Sequence, residues 1–385
     1  MAERSFKAEV EHLRKGEGDT FTGEGILAIT KALLENGVGY VGGYQGAPIS
    51  HLMDVLADAE ELMGELGVRF EANASEAAGE DYGEGSSIMQ ECSHGFAMKS
   101  QFWMLDPRPN LPSIVKAVTD GFELSEASNT PVMLMMRIRS CHVTGSFPTR
   151  DNQRPPLTVY DAVANPQSDF NRVVLPPMSY LHEQDKINIR WPAAEKFITE
   201  NKLNEMFGPE HADLGIIVQG GMYNGLIRAL QRLGLAQIDG TTEIPIYVLN
   251  VTYPIVRAEF EAFCAGKSHV MIVEEGQPDH IEQQLGSYLY KSGSHTRLYG
   301  KDVLPMAGEY TGQVMLDGIT AFLKSAAPTM LPDHVRAPNM DAPKLPDLSK
   351  TVPIRPPGFC TGCPERPIFA AMKLTEQELG KHQIT

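Results

Sequence analysis

Hydrophobic spacing in the first part of the chain alternates between a helical and an extended period. Apolar residues recur at helical spacing over Ile26–Leu34, and Asn36-Gly37 supplies a stop for that helix. Val38–Val41 is a short apolar run that ends at two glycines, and helical spacing returns over Ser50–Met63. A further apolar run, Val68–Ala72, predicts the next strand.

The same alternation continues to residue 180. Ile114–Leu124 predicts a helix, and Pro131–Ile138 predicts a buried strand. Arg150–Pro177 is polar and rich in proline, and we interpret it as an excursion or linker. Strands that alternate with helices predict a parallel α/β sheet, and we assign 1–180 to this first domain.

A second unit with the same alternation is predicted over 181–327. Its helices begin near Tyr223, Val256 and His280. Its strands are Leu214–Val218, Pro245–Val251 and Val270–Val273. Three strand–helix repeats at this spacing predict a small doubly wound domain.

The pattern changes again in the last part of the chain. Residues 328–357 contain eight prolines and little periodicity, so we expect an extended linker. A cysteine motif and a short helix over Ile368–Leu379 follow. Because these two features cannot form a core without a sheet, we interpret 358–385 as the start of a third domain.

Composition and charge restrict the expected class of protein, its partners and its compartment. The 385 residues are 42% hydrophobic and 21% charged, which is typical of a globular chain, and no apolar run reaches the roughly 18 residues of a membrane helix. The net charge of −16 would repel a phosphate backbone or an anionic membrane, so neither nucleic acid nor membrane is an expected partner. Five cysteines, an odd number, and a charged N-terminus without a signal segment indicate a reducing compartment, and we expect a cytoplasmic protein.

Two segments of the first unit could contact a ligand. Gly42–Ser50 joins a predicted strand to a predicted helix, where open α/β sheets bind ligands, but a tight turn without a ligand has the same pattern. Glu76 follows the next strand at a helix start, where an acidic side chain is commonly structural. The pattern alone leaves both alternatives open.

A third possible site is the pair Cys360 and Cys363. The C-x-x-C spacing brings two thiolates to one side of a turn, as in zinc sites, iron–sulfur clusters and thioredoxin-type redox pairs. Two cysteines supply only half of the ligands of a metal site. We favour a metal or cluster whose remaining ligands lie outside this chain over a pair of plain free thiols.

Four other polar residues are weaker candidates for a functional site. His94 and His142 lie in polar stretches without an evident partner, so we expect surface or capping roles for both. Glu274 and Glu275 end a predicted strand and could hold a ligand, but a solvated or capping pair is the simpler expectation.

Together these segments resemble the 2-oxoacid:ferredoxin oxidoreductases, most closely indolepyruvate ferredoxin oxidoreductase, over nearly the whole chain. In the first unit the resemblance rests on Gly43–Ser50, Asn73–Ala78, Gly79–Ser87, Gly121–Ala127, Pro131-Val132 and Arg139–His142. In the second it rests on Gln219–Gly221, Thr252–Pro254 and Val273–Glu275, and beyond it on Pro356–Pro364. The resemblance implies a pyrimidine-binding domain, a transketolase C-terminal-like domain and the start of a pyrophosphate-binding domain, in that order.

The resemblance also implies a chemistry, the oxidative decarboxylation of a 2-oxoacid, here an arylpyruvate such as indolepyruvate. Thiamine diphosphate, with Mg²⁺, would contact Tyr44, Gln45, Gly46, Ala47, Pro48 and Glu76. Glu76 would be the catalytic residue, because it matches the glutamate that promotes the imino form of the aminopyrimidine. Cys360 and Cys363 would hold a 4Fe-4S cluster that passes electrons to ferredoxin, while coenzyme A accepts the acyl group. Further domains or subunits, and a dimer or larger assembly, are implied as well.

Three positions depart from the family pattern. Ala47 stands where a threonine is common, which removes a hydroxyl near the substrate, and Glu365 follows the cysteine motif where a histidine is common. Ala78 runs directly into Gly79, although a parallel strand needs a crossover of about a dozen residues or more. We therefore expect that a segment is omitted after Ala78, and that the chain stops within the enzyme at Thr385.

Two other functions are compatible with these residues. A non-oxidative thiamine-diphosphate-dependent decarboxylase needs no cluster, so its holoprotein would be free of iron. A non-catalytic subunit of such a complex would lack both iron and thiamine diphosphate. The cysteine motif is the feature that favours the oxidoreductase.

The cysteine pair gives a direct test. In the native holoprotein, Cys360→Ser or Cys363→Ser should remove iron and acid-labile sulfide and abolish acceptor reduction, because each thiolate is a cluster ligand. Thiamine diphosphate should still bind, since its site uses other residues, and Cys264→Ser is a matched control. Full iron content and normal acceptor reduction in the double variant would show that the pair holds no cluster.

Overall fold

The computed structural model describes residues 5–43, 49–72, 93–336 and 365–379, and it has the predicted α/β class with parallel strands. The strands of the first half are β1 (Thr20–Glu24), β2 (Tyr40–Gly43), β3 (Arg69–Ala72), β4 (Trp103–Leu105), β5 (Val132–Leu134) and β6 (Thr144–Pro148). The helices are α1 (Lys7–Val10), α2 (Gly25–Glu35), α3 (Ser50–Asp58), α4 (Glu60–Leu66), α5 (Ser93–Ser100), α6 (Leu111–Ser128) and α7 (Ile138–Cys141).

Most predicted elements of the first half are present, with two corrections. The stop after α2 is confirmed, because Gly37 adopts a φ of 67° that only glycine takes up at little cost. The single helix predicted over Ser50–Met63 is wrong, since the chain ends α3 and begins α4 around Ala59. The buried strand predicted over Pro131–Ile138 shrinks to the half-buried β5, and the chain then turns into the short helix α7.

Two strand pairs of the first half are parallel, whereas β1 pairs with β6 antiparallel. β2 pairs with β3, with Gly43 opposite Ala72, and β4 pairs with β5. α2, α3, α4 and α6 pack a shared core with the strands, including Leu34, Val55 and Ile114, which are at most 1% exposed. Parallel pairing brings the carboxyl ends of paired strands to the same edge.

The second half forms a separate five-stranded sheet in the order β12-β11-β8-β9-β7. Its strands are β7 (Glu205–Phe207), β8 (Leu214–Gln219), β9 (Ile246–Leu249), β11 (His269–Val273) and β12 (Arg297–Tyr299). Its helices are α11 (Tyr223–Arg232), α12 (Arg257–Cys264), α13 (His280–Ser292), α14 (Gly312–Ala326) and α15 (Asp333–Arg336). All its strand pairs are parallel except that of the edge strand β7.

This sheet is doubly wound, as predicted. The core on one face contains residues of α11 and α14, such as Leu226 and Ile319, and the core on the other contains residues of α12 and α13, such as Phe260 and Leu285. From β8 the chain moves to β9 on one side and later returns to β11 on the other side. The topological switch point, where such sheets usually bind ligands, therefore lies between the carboxyl ends of β8 and β11.

One strand links the two halves. The strand predicted over Pro245–Val251 is broken at Asn250, after which β10 (Val251–Tyr253) leaves the second sheet and pairs antiparallel with β4. Asn250 holds this break, because its side-chain amide donates to the Leu203 carbonyl at 2.9 Å and to Glu205 at 2.8 Å. The two halves therefore share the sheet β10-β4-β5, and the division at residue 180 stays a prediction.

The chain between the two halves passes through α8 (Val159–Ala164), α9 (Met178–Asp185) and α10 (Trp191–Glu200). The excursion predicted over Arg150–Pro177 contains α8 and one further short helical turn, and α8 has no buried residue. α10 packs against α6 through buried residues such as Ile198. Beyond α15 the structure describes α16 (Glu365–Leu379). No helix within the described residues combines the length and apolarity needed to cross a bilayer.

Candidate functional site

The predicted cofactor segments both begin at one edge of the β2–β3 pair. Gly43, the last residue of β2, lies opposite Ala72, the last residue of β3. Residues 44–48 and 73–76 therefore start from neighbouring strands that point in the same direction, at about 4.8 Å separation. The site residues themselves, Tyr44, Gln45, Gly46, Ala47, Pro48 and Glu76, lie outside the described residues, as do Cys360 and Cys363.

The edge packs closely against α3. A Cβ at Gly43 would lie 2.8 Å from Met53 Sδ, so a larger residue would require the Met53 side chain to move. His51 on α3 packs edge-to-face against His142, with ring centroids 5.7 Å apart. His142 is half-exposed, as expected, and its Nδ1 lies 3.8 Å from Glu24. No local pattern indicates this histidine contact, because His51 and His142 lie far apart in the chain.

A second group of polar side chains converges on Arg137, whose side chain is 1% exposed. Its guanidinium pairs with Glu275 and, at 3.0 Å, with Asp106, and it donates to the Gln219 side chain at 3.3 Å. Glu275 and Asp106 are also almost completely buried. Because an unpaired charge in such a position is very costly, these groups are held together as a unit.

The glycines of the Gln219-Gly220-Gly221 segment permit this close packing. A side chain at Gly220 would collide with the Asp106 backbone carbonyl, and a Cβ at Gly221 would lie 2.5 Å from both Arg137 Nε and Asp106 Oδ1. The Gly221 N–H donates to Asp106 Oδ1 at 3.1 Å. The Gln219-Gly220-Gly221 segment therefore packs directly against Asp106 and Arg137 of the first half, and it is not an open turn.

Glu275 connects the group to the rest of the second half. Its carboxylate accepts a hydrogen bond from the Tyr310 N–H at 2.7 Å and one from Arg139 at 3.3 Å. Arg139, which is one-third exposed, also pairs with Glu309 at 3.0 Å. The expectation of a solvated or capping Glu275 is wrong, because Arg137 arrives from a part of the chain 138 residues away.

Glu274, by contrast, has the predicted capping role. Its carboxylate accepts the backbone N–H groups of Ile281 and Glu282, both at 3.0 Å, at the start of α13. Burial raises the pKa of Glu274 to about 7, while these two hydrogen bonds oppose the shift. The neighbouring Lys301 ammonium donates to the Gly276 carbonyl and to Tyr310 Oη, both at 2.8 Å.

Arg137 occupies the topological switch point of the second half. Gln219 ends β8, and Glu275 lies two residues beyond β11, so the guanidinium lies between the carboxyl ends of these two strands. Asp106 directly follows β4, and Arg137 lies three residues beyond β5. The crevice that usually binds a ligand in a doubly wound sheet is therefore filled by the first half of the chain.

His94 is the third unusual polar residue, and its predicted surface role is wrong. It is 3% exposed, and its ring lies near those of Tyr253 and His280, at centroid distances of 6.2 and 5.8 Å. Neither ring nitrogen has a hydrogen-bond partner in the part of the chain that the structure describes. Burial, with a smaller contribution from His280, lowers the pKa of His94 to about 3.

Comparisons with known proteins agree with this fold. The structure is similar to 2-oxoglutarate:ferredoxin oxidoreductase from Magnetococcus marinus, a structure with 2-oxoglutarate, coenzyme A and succinyl-CoA bound. The TM-score is 0.56 at 15% identity, over 79% of this chain and 65% of that one. The chain thus has the α/β fold of a 2-oxoacid:ferredoxin oxidoreductase.

Sequence comparisons find similar proteins of one kind. Residues 204–322 match the indolepyruvate oxidoreductase domain. The chain is 24% identical to indolepyruvate oxidoreductase subunit IorA of Methanothermobacter marburgensis, over 96% of this chain and 62% of that one. It is 28% identical to the same subunit of Pyrococcus abyssi, over 68% of this chain and 39% of that one. The chain is thus similar over most of its length to indolepyruvate oxidoreductase subunits, and it spans about three fifths of the length of the first of these relatives.

Replacement of Arg137 tests whether the buried group of Arg137, Asp106 and Glu275 stabilises the fold. Arg137→Met should lower the free energy of unfolding by about 3–5 kcal/mol, because two buried carboxylates lose their shared partner. Arg69→Met is the matched control, since Arg69 forms an ion pair in which both side chains are about half exposed. Urea unfolding followed by circular dichroism measures both variants. An Arg137→Met midpoint equal to that of the control would show that the group does not stabilise the fold.

His94 gives a prediction for pH dependence. The unfolded chain protonates this histidine near pH 6.5, whereas the folded protein does so only near pH 3, so stability falls as the pH is lowered between these values. His94→Leu should reduce this acid sensitivity, measured as the melting temperature against pH. His211→Leu, at an exposed position, is the matched control and should keep the wild-type pH dependence. An unchanged profile for His94→Leu would mean that His94 is not buried in its neutral form.

Proposed function

We propose that this chain is the thiamine-diphosphate-binding part of an enzyme that oxidatively decarboxylates a 2-oxoacid to its acyl-CoA. The related subunits and the similar ferredoxin oxidoreductase support the reaction class. We further propose an arylpyruvate such as indolepyruvate as the substrate, in keeping with the domain that matches residues 204–322.

One observation carries the proposal, the parallel pairing of β2 with β3. The register sets Gly43 beside Ala72, so the segment with Tyr44–Pro48 and the segment with Glu76 both continue from the carboxyl edge of the same strand pair. Because carboxyl ends of parallel strands are the usual ligand edge, the two segments would meet one molecule there. The glycines at the end of β2 and the start of α3 at Ser50 fit a turn that approaches a ligand closely.

The residues of this edge would bind and orient the cofactor. Residues Tyr44 to Pro48 would line the pyrimidine side of the site, and the Glu76 carboxyl would hold a proton at the pyrimidine ring nitrogen. A carboxyl group in a closed, water-poor site keeps a proton more readily than in water, which suits this exchange. Thiamine diphosphate, when bound, supplies the carbon nucleophile that attacks the 2-oxoacid. Ala47 offers no hydroxyl to the substrate carboxylate, so another group must bind it.

The remaining parts of the reaction are assigned to residues and partners outside the described structure. We propose that Cys360 and Cys363 are ligands of a 4Fe-4S cluster, that ferredoxin accepts its electrons, and that coenzyme A accepts the acyl group. Mg²⁺ and the diphosphate would bind to other domains or subunits of the enzyme, in a cytoplasmic dimer or larger assembly. The alignment with the Methanothermobacter marburgensis subunit spans 418 positions, more than the 385 residues of this chain, so it includes gaps in this chain.

Glu76→Gln tests this function in the holoenzyme. The variant should bind thiamine diphosphate but exchange the thiazolium proton with solvent deuterium at least ~100-fold more slowly, because the amide cannot hold the proton. Proton NMR of the quenched enzyme measures the exchange, and calorimetry measures the binding.

The matched control is Glu71→Gln. Glu71 lies on β3, is about half exposed, and pairs with Arg69 at 2.8 Å, so its replacement should leave the exchange rate unchanged. Equal exchange rates in Glu76→Gln and wild type would remove Glu76 from the mechanism. Absence of thiamine diphosphate binding in the wild-type holoenzyme would reject the proposed function itself.

A further inference from the structure

A groove of about 780 Å³ lies where the first half of the chain meets the edge strand β7 of the second sheet. Arg108 reaches it from the segment after β4, while Phe207 and Tyr223 come from β7 and the start of α11. Asp239 and Glu243 come from the loop between α11 and β9. The groove therefore offers a cationic group, aromatic rings and carboxylates to a single ligand.

Arg108 has hydrogen-bond donors that its ion pair does not use. Its Nε and Nη2 donate to the two carboxylate oxygens of Glu205, both at 2.6 Å. A guanidinium has five N–H groups, so three remain, and they include the end-on pair that can bind a second carboxylate. Within the described residues the Arg108 side chain makes no further hydrogen bond. The free N–H groups are thus available to a ligand in the groove.

The guanidinium of Arg108 is also held in place. It lies over the rings of Phe207 and Tyr223, at 5.1 and 5.0 Å from their centres. Burial acts to raise the pKa of Glu205, but hydrogen bonds from Arg108 and Asn250 hold it below its ordinary value. Glu205 therefore stays ionised and keeps the guanidinium fixed, so a ligand carboxylate would bind with little loss of side-chain freedom.

The acidic wall of the groove is a loop that is closed by its own hydrogen bonds. The Gln237 N–H donates to the Thr241 carbonyl at 2.8 Å, and the Glu243 N–H donates to the Leu235 carbonyl at 3.0 Å. Asp239 accepts the Thr241 N–H at 2.9 Å, which lowers the pKa of Asp239. Asp239 and Glu243 are both exposed, and neither forms an ion pair in the part of the chain that the structure describes. Both carboxylates can therefore accept a ligand cation.

Tyr223 joins the cationic wall to the acidic one. Its ring lies beneath the Arg108 guanidinium, and a Cβ at Gly240, next to Asp239, would lie 3.6 Å from its hydroxyl oxygen. Phe207 packs beside it, with ring centroids 5.3 Å apart. Aromatic rings bind a further ring well in a tilted or offset geometry. A small molecule with an aromatic group can therefore contact these rings and both charged walls.

Charge restricts the class of ligand. The carboxylates of the loop and the net charge of −16 repel phosphorylated compounds and dicarboxylates. A simple amine would leave the free Arg108 donors without a partner, and a simple carboxylate would face the acidic loop. A molecule with one carboxylate, one ammonium and an aromatic ring satisfies every wall.

We propose that this groove binds a free α-amino acid with an aromatic side chain. Its carboxylate would accept from Arg108, and its ammonium would donate to Asp239 and Glu243. Its ring would pack against Phe207 and Tyr223. An arylpyruvate differs from such an amino acid only by an oxo group in place of the amino group and its hydrogen, so the site would sense the supply of the proposed substrate. Only this link to the substrate rests on the proposed function.

Isothermal titration calorimetry of the full chain with L-phenylalanine and L-tryptophan tests the site. Three smaller probes each lack one recognised group: 3-phenylpropionate lacks the ammonium, 2-phenylethylamine lacks the carboxylate and L-alanine lacks the ring. Each should bind at least ~10-fold more weakly than L-phenylalanine, because one wall of the groove would have no partner.

The double variant Asp239→Asn, Glu243→Gln separates this site from any other. It should weaken L-phenylalanine binding by ~10-fold or more but should not weaken 3-phenylpropionate binding, because the lost carboxylates attract only the ammonium. The matched control is the double variant Glu123→Gln, Glu126→Gln, which removes two exposed carboxylates of α6 and the same amount of charge. It should bind both compounds as wild type does.

Three results would overturn the proposal. The first is a wild-type chain that binds neither aromatic amino acid, and the second is a smaller probe that binds as tightly as L-phenylalanine. The third is an Asp239→Asn, Glu243→Gln variant with unchanged affinity for L-phenylalanine. The titrations contain no thiamine diphosphate, so any of these results would leave the proposed function standing.

Discussion

The burial of Arg137 between the two halves is the constraint on which their arrangement depends. Its guanidinium neutralises Asp106 from the first half and Glu275 from the second, in a position without solvent. Arg137, Asp106 and Arg139 all belong to the first half, so separation of the halves would deprive the buried Glu275 of both of its described cationic partners, Arg137 and Arg139. The same junction contains the pairing of β10 with β4 and the close approach of Gly220 to the Asp106 backbone carbonyl.

Because of this junction, the two halves have different roles. The switch point between β8 and β11 is occupied by Arg137, so the second half supports the first instead of offering its usual crevice to a ligand. The carboxyl edge of β2 and β3 belongs to the first half, and the predicted cofactor segments follow these two strands in the sequence. The match of residues 204–322 to the indolepyruvate oxidoreductase domain therefore describes the supporting half.

Much of the fold follows from local patterns, whereas the charge junction does not. The period of apolar residues was sufficient for α2, β8 and α11, because each of these elements has a buried face and a clear stop. The break at Asn250 and the burial of Glu275 depend on partners far away in the chain, which no local pattern contains. The predicted surface role of His94 is wrong for the same reason, since its polar neighbours in sequence are not its neighbours in space.

A structure of the enzyme complex determined with thiamine diphosphate and Mg²⁺ would show which sheet edge binds the cofactor. We expect the aminopyrimidine ring at the carboxyl ends of β2 and β3, with the Glu76 carboxyl within hydrogen-bond distance of a ring nitrogen. We also expect Arg137 to remain between Asp106 and Glu275. A cofactor bound between β8 and β11 with Arg137 displaced, or a complex that binds no thiamine diphosphate, would contradict this assignment of the site.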